Sequence, residues 1–164
     1  MNDHTRPFKP GEQREVFPGL ENDPYLLRRK HSEPTVCSHC GAVYRDGRWQ
    51  WLPRPDDAEE AICTACHRIA DRVPAGYVYI DGPFAQEHRA ELLQLIDRHA
   101  QRARAAHPMQ RVMSIDAEDR KIVVTTTDVH LARGIGSALK SAFQGELELD
   151  YPSDEKLVRV YWRR

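Results

Sequence analysis

Four cysteines fall in two C-x-x-C pairs, Cys37-Ser38-His39-Cys40 and Cys63-Thr64-Ala65-Cys66, and the chain has no other cysteine. Thiolates three positions apart can be offered to one ion by a single tight turn, and two such knuckles complete a tetrahedron. The pattern predicts a closed Zn2+ site with Cys37, Cys40, Cys63 and Cys66 as its ligands. A closed site holds structure and keeps no open coordination position for hydrolysis. His39 and His67 adjoin the knuckles and read as surface or supporting histidines. Cys63–His67 also matches the C-x-x-C-H haem-attachment signal, but haem would leave Cys37 and Cys40 unused. A thioredoxin-like pair would belong to a different fold, and a bound zinc would quench both thiols.

The 164 residues, 40% hydrophobic and 30% charged, suit one ordinary domain or two small ones. There is no apolar run long enough for a membrane helix, and Met1–Pro7 has no apolar signal core. The expected setting is therefore the cytoplasm, without a membrane partner, where thiols stay reduced and favour metal over disulfide. The net charge of −1 shows no basic excess, so nucleic-acid contact must rest on local patches.

Three segments follow along an α+β chain. Residues 1–36 read as an extended arm broken by Pro7, Pro10, Pro18, Pro24 and Pro34, with a short helix near 24–30. Residues 37–76 read as the zinc module. Two aromatic-rich runs flank Asp46-Gly47, a hairpin signal; an acidic loop over 56–60 follows, and His67–Val73 reads as a helix stopped by Pro74 and Gly76. A treble clef is expected, or a zinc ribbon if a second hairpin replaces the helix. Residues 77–164 read as a ferredoxin-like βαββαβ(β) domain. The predicted strands are 77–80, 112–115, 122–126, 147–151 and 157–162, and the fifth is expected to extend one edge. The predicted helices run from about 85 to 106 and from an Asp128 cap to Gly145. Gly134 and Gly136 fall inside the second helix, where close packing on the sheet is expected.

Catalysis finds little support. His130 beside Asp128 reads as helix-cap chemistry, and no phosphate-binding glycine loop is present. Binding has better candidates. Tyr77 and Tyr79 alternate with Val78 and Ile80, so the tyrosines should lie on the open face of the sheet, as should Arg159 and Tyr161. RNA-recognition sheets stack bases on aromatics at such positions. Arg28-Arg29-Lys30 leads into the zinc module, and Arg45 and Arg48 flank the hairpin turn beside Trp49 and Trp51. Arginine with aromatic neighbours suits phosphate and base contact.

Two C-x-x-C knuckles ahead of a small α/β segment with His130–Gly136 and Gly145-Glu146-Leu147 resemble the nonsense-mediated-decay-three proteins, which are export adaptors of the large ribosomal subunit. The resemblance covers roughly residues 37–145. It implies contact with a ribosomal subunit or structured RNA, and it carries over Cys37, Cys40, Cys63 and Cys66 as metal ligands. The family's further cysteine pairs and export signals are absent. The expected function is a cytoplasmic, zinc-stabilised, non-catalytic protein associated with RNA or ribosomes. A zinc-structured protein–protein adaptor without nucleic-acid contact is the alternative.

Overall fold

Short strands around the knuckles build the first layer of the fold. The computed structural model describes Tyr25 and residues 30–117, 120–153 and 157–164. The helix predicted near 24–30, with Arg28 and Arg29, lies outside the described residues apart from Tyr25 and Lys30. β1 (Thr35–Cys37) pairs antiparallel with β2 (Val43–Arg45), which forms the expected hairpin with β3 (Arg48–Gln50). Asp46 and Gly47 both have positive φ at the turn. The Glu33 carboxylate accepts hydrogen bonds from both turn amides at 2.9 Å. β4 (Glu59–Ala61) adds in parallel to β1. Two acids of the expected loop are thus strand residues, and β1 begins inside the stretch read as arm. Cys63 then caps α1 (Thr64–Asp71). The element after the second knuckle is a helix, not a second hairpin. Tyr25 reaches this helix, its hydroxyl donating to Asp71 at 2.8 Å and its ring lying 4.4 Å from the Arg68 guanidinium.

A second sheet follows, in the order β6-β7-β5-β9-β8. Its strands are β5 (Gly76–Asp81), β6 (Val112–Asp116), β7 (Ile122–Thr126), β8 (Glu146–Asp150) and β9 (Val158–Arg163). The strand boundaries lie within one residue of those predicted. The strand order does not follow the prediction. β9 does not extend an edge: it lies between β5, to which it is parallel, and β8, to which it is antiparallel. This insertion displaces β8 from the place beside the first strand that a ferredoxin-like order would assign it. The side chains explain the exchange. Val158, Val160 and Trp162 are almost fully buried, which suits an interior strand. β8 exposes Glu146, Glu148 and Asp150, and charges of that kind belong on an edge, where they discourage pairing with another chain.

The long helix expected from 85 to 106 is two helices, α2 (Pro83–Glu87) and α3 (Arg89–Ala106), separated at His88. α2 lies over β5, where Phe84 meets Phe143 and Trp162 at ring separations of 5.5 and 6.3 Å. α3 packs on α4 (Val129–Phe143) instead. Asp128 caps α4 as expected, accepting from Leu131 N at 3.0 Å. α4 covers the sheet through Leu131, Ala132, Ile135 and Leu139. A Cβ at Gly136 would come within 2.6 Å of Val160 Cγ1, the sheet contact expected of it; at Gly134 it would instead meet His99 of α3 at 2.7 Å. Gly136→Val should therefore destabilise the fold by about 1–3 kcal/mol through overpacking, read as a lower urea midpoint at unchanged slope. A wild-type midpoint would show that helix and sheet separate freely there.

Candidate metal centre and sheet-face site

The four cysteine sulfurs converge to within 4.8 Å of one another. Cys37 Sγ lies 3.8 Å from Cys66 Sγ, and Cys40 Sγ lies 3.9 Å from Cys63 Sγ. A tetrahedral ion bonded to sulfur at about 2.3 Å would have edges of about 3.8 Å. The cluster therefore has the size of a four-thiolate metal site and is far too open for disulfides, whose S–S distance is about 2.05 Å. Each knuckle is held from its backbone. Gly41 N donates to Cys37 O at 2.9 Å, with Gly41 at φ +77. Cys63 Sγ accepts from Cys66 N, and Cys37 Sγ from Cys63 N, both at 3.4 Å. His39 and His67 are exposed and outside the cluster.

The electrostatics of the four thiols are conflicted. Burial pushes the Cys63 thiol well up, with the neighbouring sulfurs adding repulsion. Burial also raises Cys66, against the pull of Arg111. At Cys37 burial acts upward too, but the backbone N–H groups of Cys63, Cys40 and His39 prevail and bring it to about 6. Four sulfurs this close, three of them on buried residues, cannot all hold negative charge unaided; a divalent cation among them would resolve the conflict by deprotonating each. The donor set fits a metal ion.

One supporting residue was not visible in the sequence reading as part of this site. Arg111 is just 7% exposed. Its Nη2 donates to Cys40 Sγ at 3.0 Å and Cys63 Sγ at 3.6 Å, and its Nη1 to Cys66 Sγ at 3.3 Å. It arrives from the connection between α3 and β6, so nothing in the local pattern around the cysteines announces it. Met109 packs on the same cluster and accepts from Thr64 Oγ1.

Of the hairpin aromatics, Tyr44 is buried and Trp49 half-buried, while Trp51 is 38% exposed. Trp49 packs on the cysteine cluster and meets Tyr44 and His31 at ring separations of 5.5 and 5.1 Å. Trp51 donates through Nε1 to Arg104 O at 2.7 Å, tying the hairpin strand to α3. Trp49 is thus packed on the sulfur cluster, whereas Trp51 ties the module to α3 and stays partly exposed. Arg45 and Arg48, opposite each other in the hairpin, remain exposed, as does Lys30.

The sheet face brings together the other predicted residues. Tyr77, Tyr79, Arg159 and Tyr161 lie on the side away from α4, because Val78, Ile80, Val158 and Val160 alternate with them into the core. Tyr77 and Tyr79 stack at 6.0 Å with 6° between planes, and Tyr79 and Tyr161 at 5.1 Å with 14°. Tyr161 is 39% exposed. Glu148 and Asp150 stand opposite Tyr161 and Arg159 in register, and Glu146 opposite Arg163. Among the described residues these three carboxylates take no hydrogen-bond or ion-pair partner. No helix of the described residues is long and apolar enough to cross a membrane.

No protein-family model, curated protein or solved structure matches the chain.

Proposed function

We propose that the chain is a zinc-structured, non-catalytic cytoplasmic protein that binds single-stranded RNA on its open sheet face, with a ribosomal subunit as the broader target. The tyrosine row carries this reading. Three nearly parallel rings on a face opposite the helices form a platform on which bases can stack, and each stacked base is worth about 1–3 kcal/mol. Zinc is the ion best suited to four thiolates in a closed tetrahedron. The order knuckle, hairpin, then a helix capped by the second knuckle is that of a treble clef. The second domain keeps the βαββαβ element sequence of a ferredoxin-like fold, with β9 intercalated.

The carboxylates of β8 limit where phosphates can run. Binding should therefore draw on stacking more than on ion release, and its salt slope should be shallow. Fluorescence anisotropy with a labelled single-stranded RNA oligonucleotide tests the reading. Tyr79→Ala and Tyr161→Ala should each weaken binding about 5- to 150-fold. Wild-type affinity in both variants, or no binding by the wild type, would defeat the proposal.

The unpartnered acids favour one second reading, an adaptor that docks a basic protein segment on the same face. A single double variant separates the two. Glu148→Gln with Asp150→Asn should strengthen RNA binding by removing repulsion, whereas it should weaken capture of an arginine- and lysine-rich peptide.

A further inference from the structure

We infer that Arg111 is the counter-ion of the metal centre and that it governs how firmly the metal is held. Four thiolates around a divalent cation carry a net charge of 2−, from four negative charges and two positive. Such a charge in a buried site is costly unless it is compensated and hydrogen-bonded. Cys37 and Cys63 are almost fully buried, so water can compensate little of it. The Arg111 guanidinium reaches three of the four sulfurs at 3.0–3.6 Å, and charge-assisted donors of this kind are the stronger sort.

The side chain is fixed rather than merely nearby. Arg111 Nε donates to Pro108 O at 2.8 Å. Its backbone N donates to Thr127 Oγ1 at 3.0 Å, and Thr127 N donates back to Arg111 O at 2.9 Å. The guanidinium is therefore aimed at the sulfurs by the β7–α4 junction, which belongs to the other sheet. The planar fork matters too: a lysine ammonium carries the charge but cannot span three sulfurs with two nitrogens in fixed geometry. Arg111 acts on the metal through its ligands, as a positioning and charge-balancing residue, and this holds whichever partner the sheet face binds.

The test uses the full chain loaded with Zn2+ or Co2+. Arg111→Met keeps much of the volume and removes charge and donors; Arg111→Lys keeps the charge alone. Arg111→Met should bind Zn2+ about 10- to 100-fold more weakly, the range typical when a group supporting metal ligands is lost, and Arg111→Lys should fall between it and the wild type. In the Co2+ form the sulfur-to-metal charge-transfer band should move to longer wavelength in Arg111→Met, because a thiolate relieved of its hydrogen bonds is a better electron donor. A purely packing role would leave affinity and band where they are in the wild type, and that outcome overturns the inference. If Arg111→Met does not fold, the wild type loaded with 113Cd2+ decides: scalar coupling between the cadmium and the Arg111 guanidinium protons supports it. Guanidinium protons that lack the coupling and exchange as fast as free arginine refute it. The zinc content of the wild type tests the metal centre separately, so failure of the centre and failure of Arg111 are distinguishable.

Discussion

Cys63→Ser should abolish tight metal binding and unfold residues 35–71, while leaving the second sheet folded. The first sheet is built from strands of three residues each, too short to stand alone. Among the described residues its buried cluster around the sulfurs is Cys37, Ala42, Cys63, Ala65 and Cys66, with Cys40, Trp49, Ile62 and Met109 packed against it only partly buried. Val36, Val43 and Tyr44 are buried nearby, but so small an apolar set cannot offset the entropy of ordering the segment. A metal bound by the four sulfurs would supply the difference, and structural Zn2+ binding of about 10–16 kcal/mol in comparable small modules is ample for that. Cys63 is the most consequential ligand because it also caps α1 and is fully buried. Metal analysis should fall from one equivalent to below a tenth. Hydrogen exchange should lose protection across β1–β4 and α1 and retain it in β5, β7 and β9. A strong chelator on the wild type should reproduce the pattern, and acid should as well, since thiolates must stay deprotonated to bind. A full equivalent of metal in Cys63→Ser, with unaltered exchange, would remove the metal from its structural role.

Trp162→Ala should cost about 3–5 kcal/mol of folding stability. Trp162 is 1% exposed and is the largest fully buried side chain. It fills the space between β9, Phe84 of α2 and the end of α4, where its Nε1 donates to Gln144 O at 2.8 Å. Truncation removes the ring, leaves a cavity and strands a carbonyl, each a separate loss. Against an ordinary total of about 5–15 kcal/mol this is a large fraction, and the melting temperature should drop by on the order of 10 °C. Trp162→Phe should recover much of it, lacking only part of the ring and the hydrogen bond. Bound metal should be unchanged, because Trp162 belongs to the larger core and not to the sulfur cluster. A drop in metal content as large as in Cys63→Ser would mean that the two cores fold as one unit; a loss of stability under about 1 kcal/mol would mean that the site collapses around the gap.

Local signals carried far in this chain. The Asp46-Gly47 turn, the Asp128 cap and the alternation through Tyr77–Ile80 all depend on neighbours a few residues away, and each appears as read. The two knuckles marked all four sulfurs, because C-x-x-C spacing is itself a statement about one turn and one ion. Two features were less legible. β9 displaced β8 from the interior, although the contrast between Val158, Val160 and Trp162 on one strand and Glu146, Glu148 and Asp150 on the other was there to be weighed. Trp49 of the hairpin packs on the sulfur cluster and Trp51, though partly exposed, hydrogen-bonds α3, contacts that no local pattern announces.

The residues alone determined which cysteines gather, where most strands and helices lie, and that the tyrosines share one face of a strand, because those properties follow from spacing, period and capping. Tertiary structure alone decided the order of the strands, the stacking of Tyr161 on Tyr79 and the insertion of Arg111 among the thiolates. Those depend on which distant segments compete for the same buried space, and a buried four-sulfur site draws its compensating charge from whichever segment packs against it.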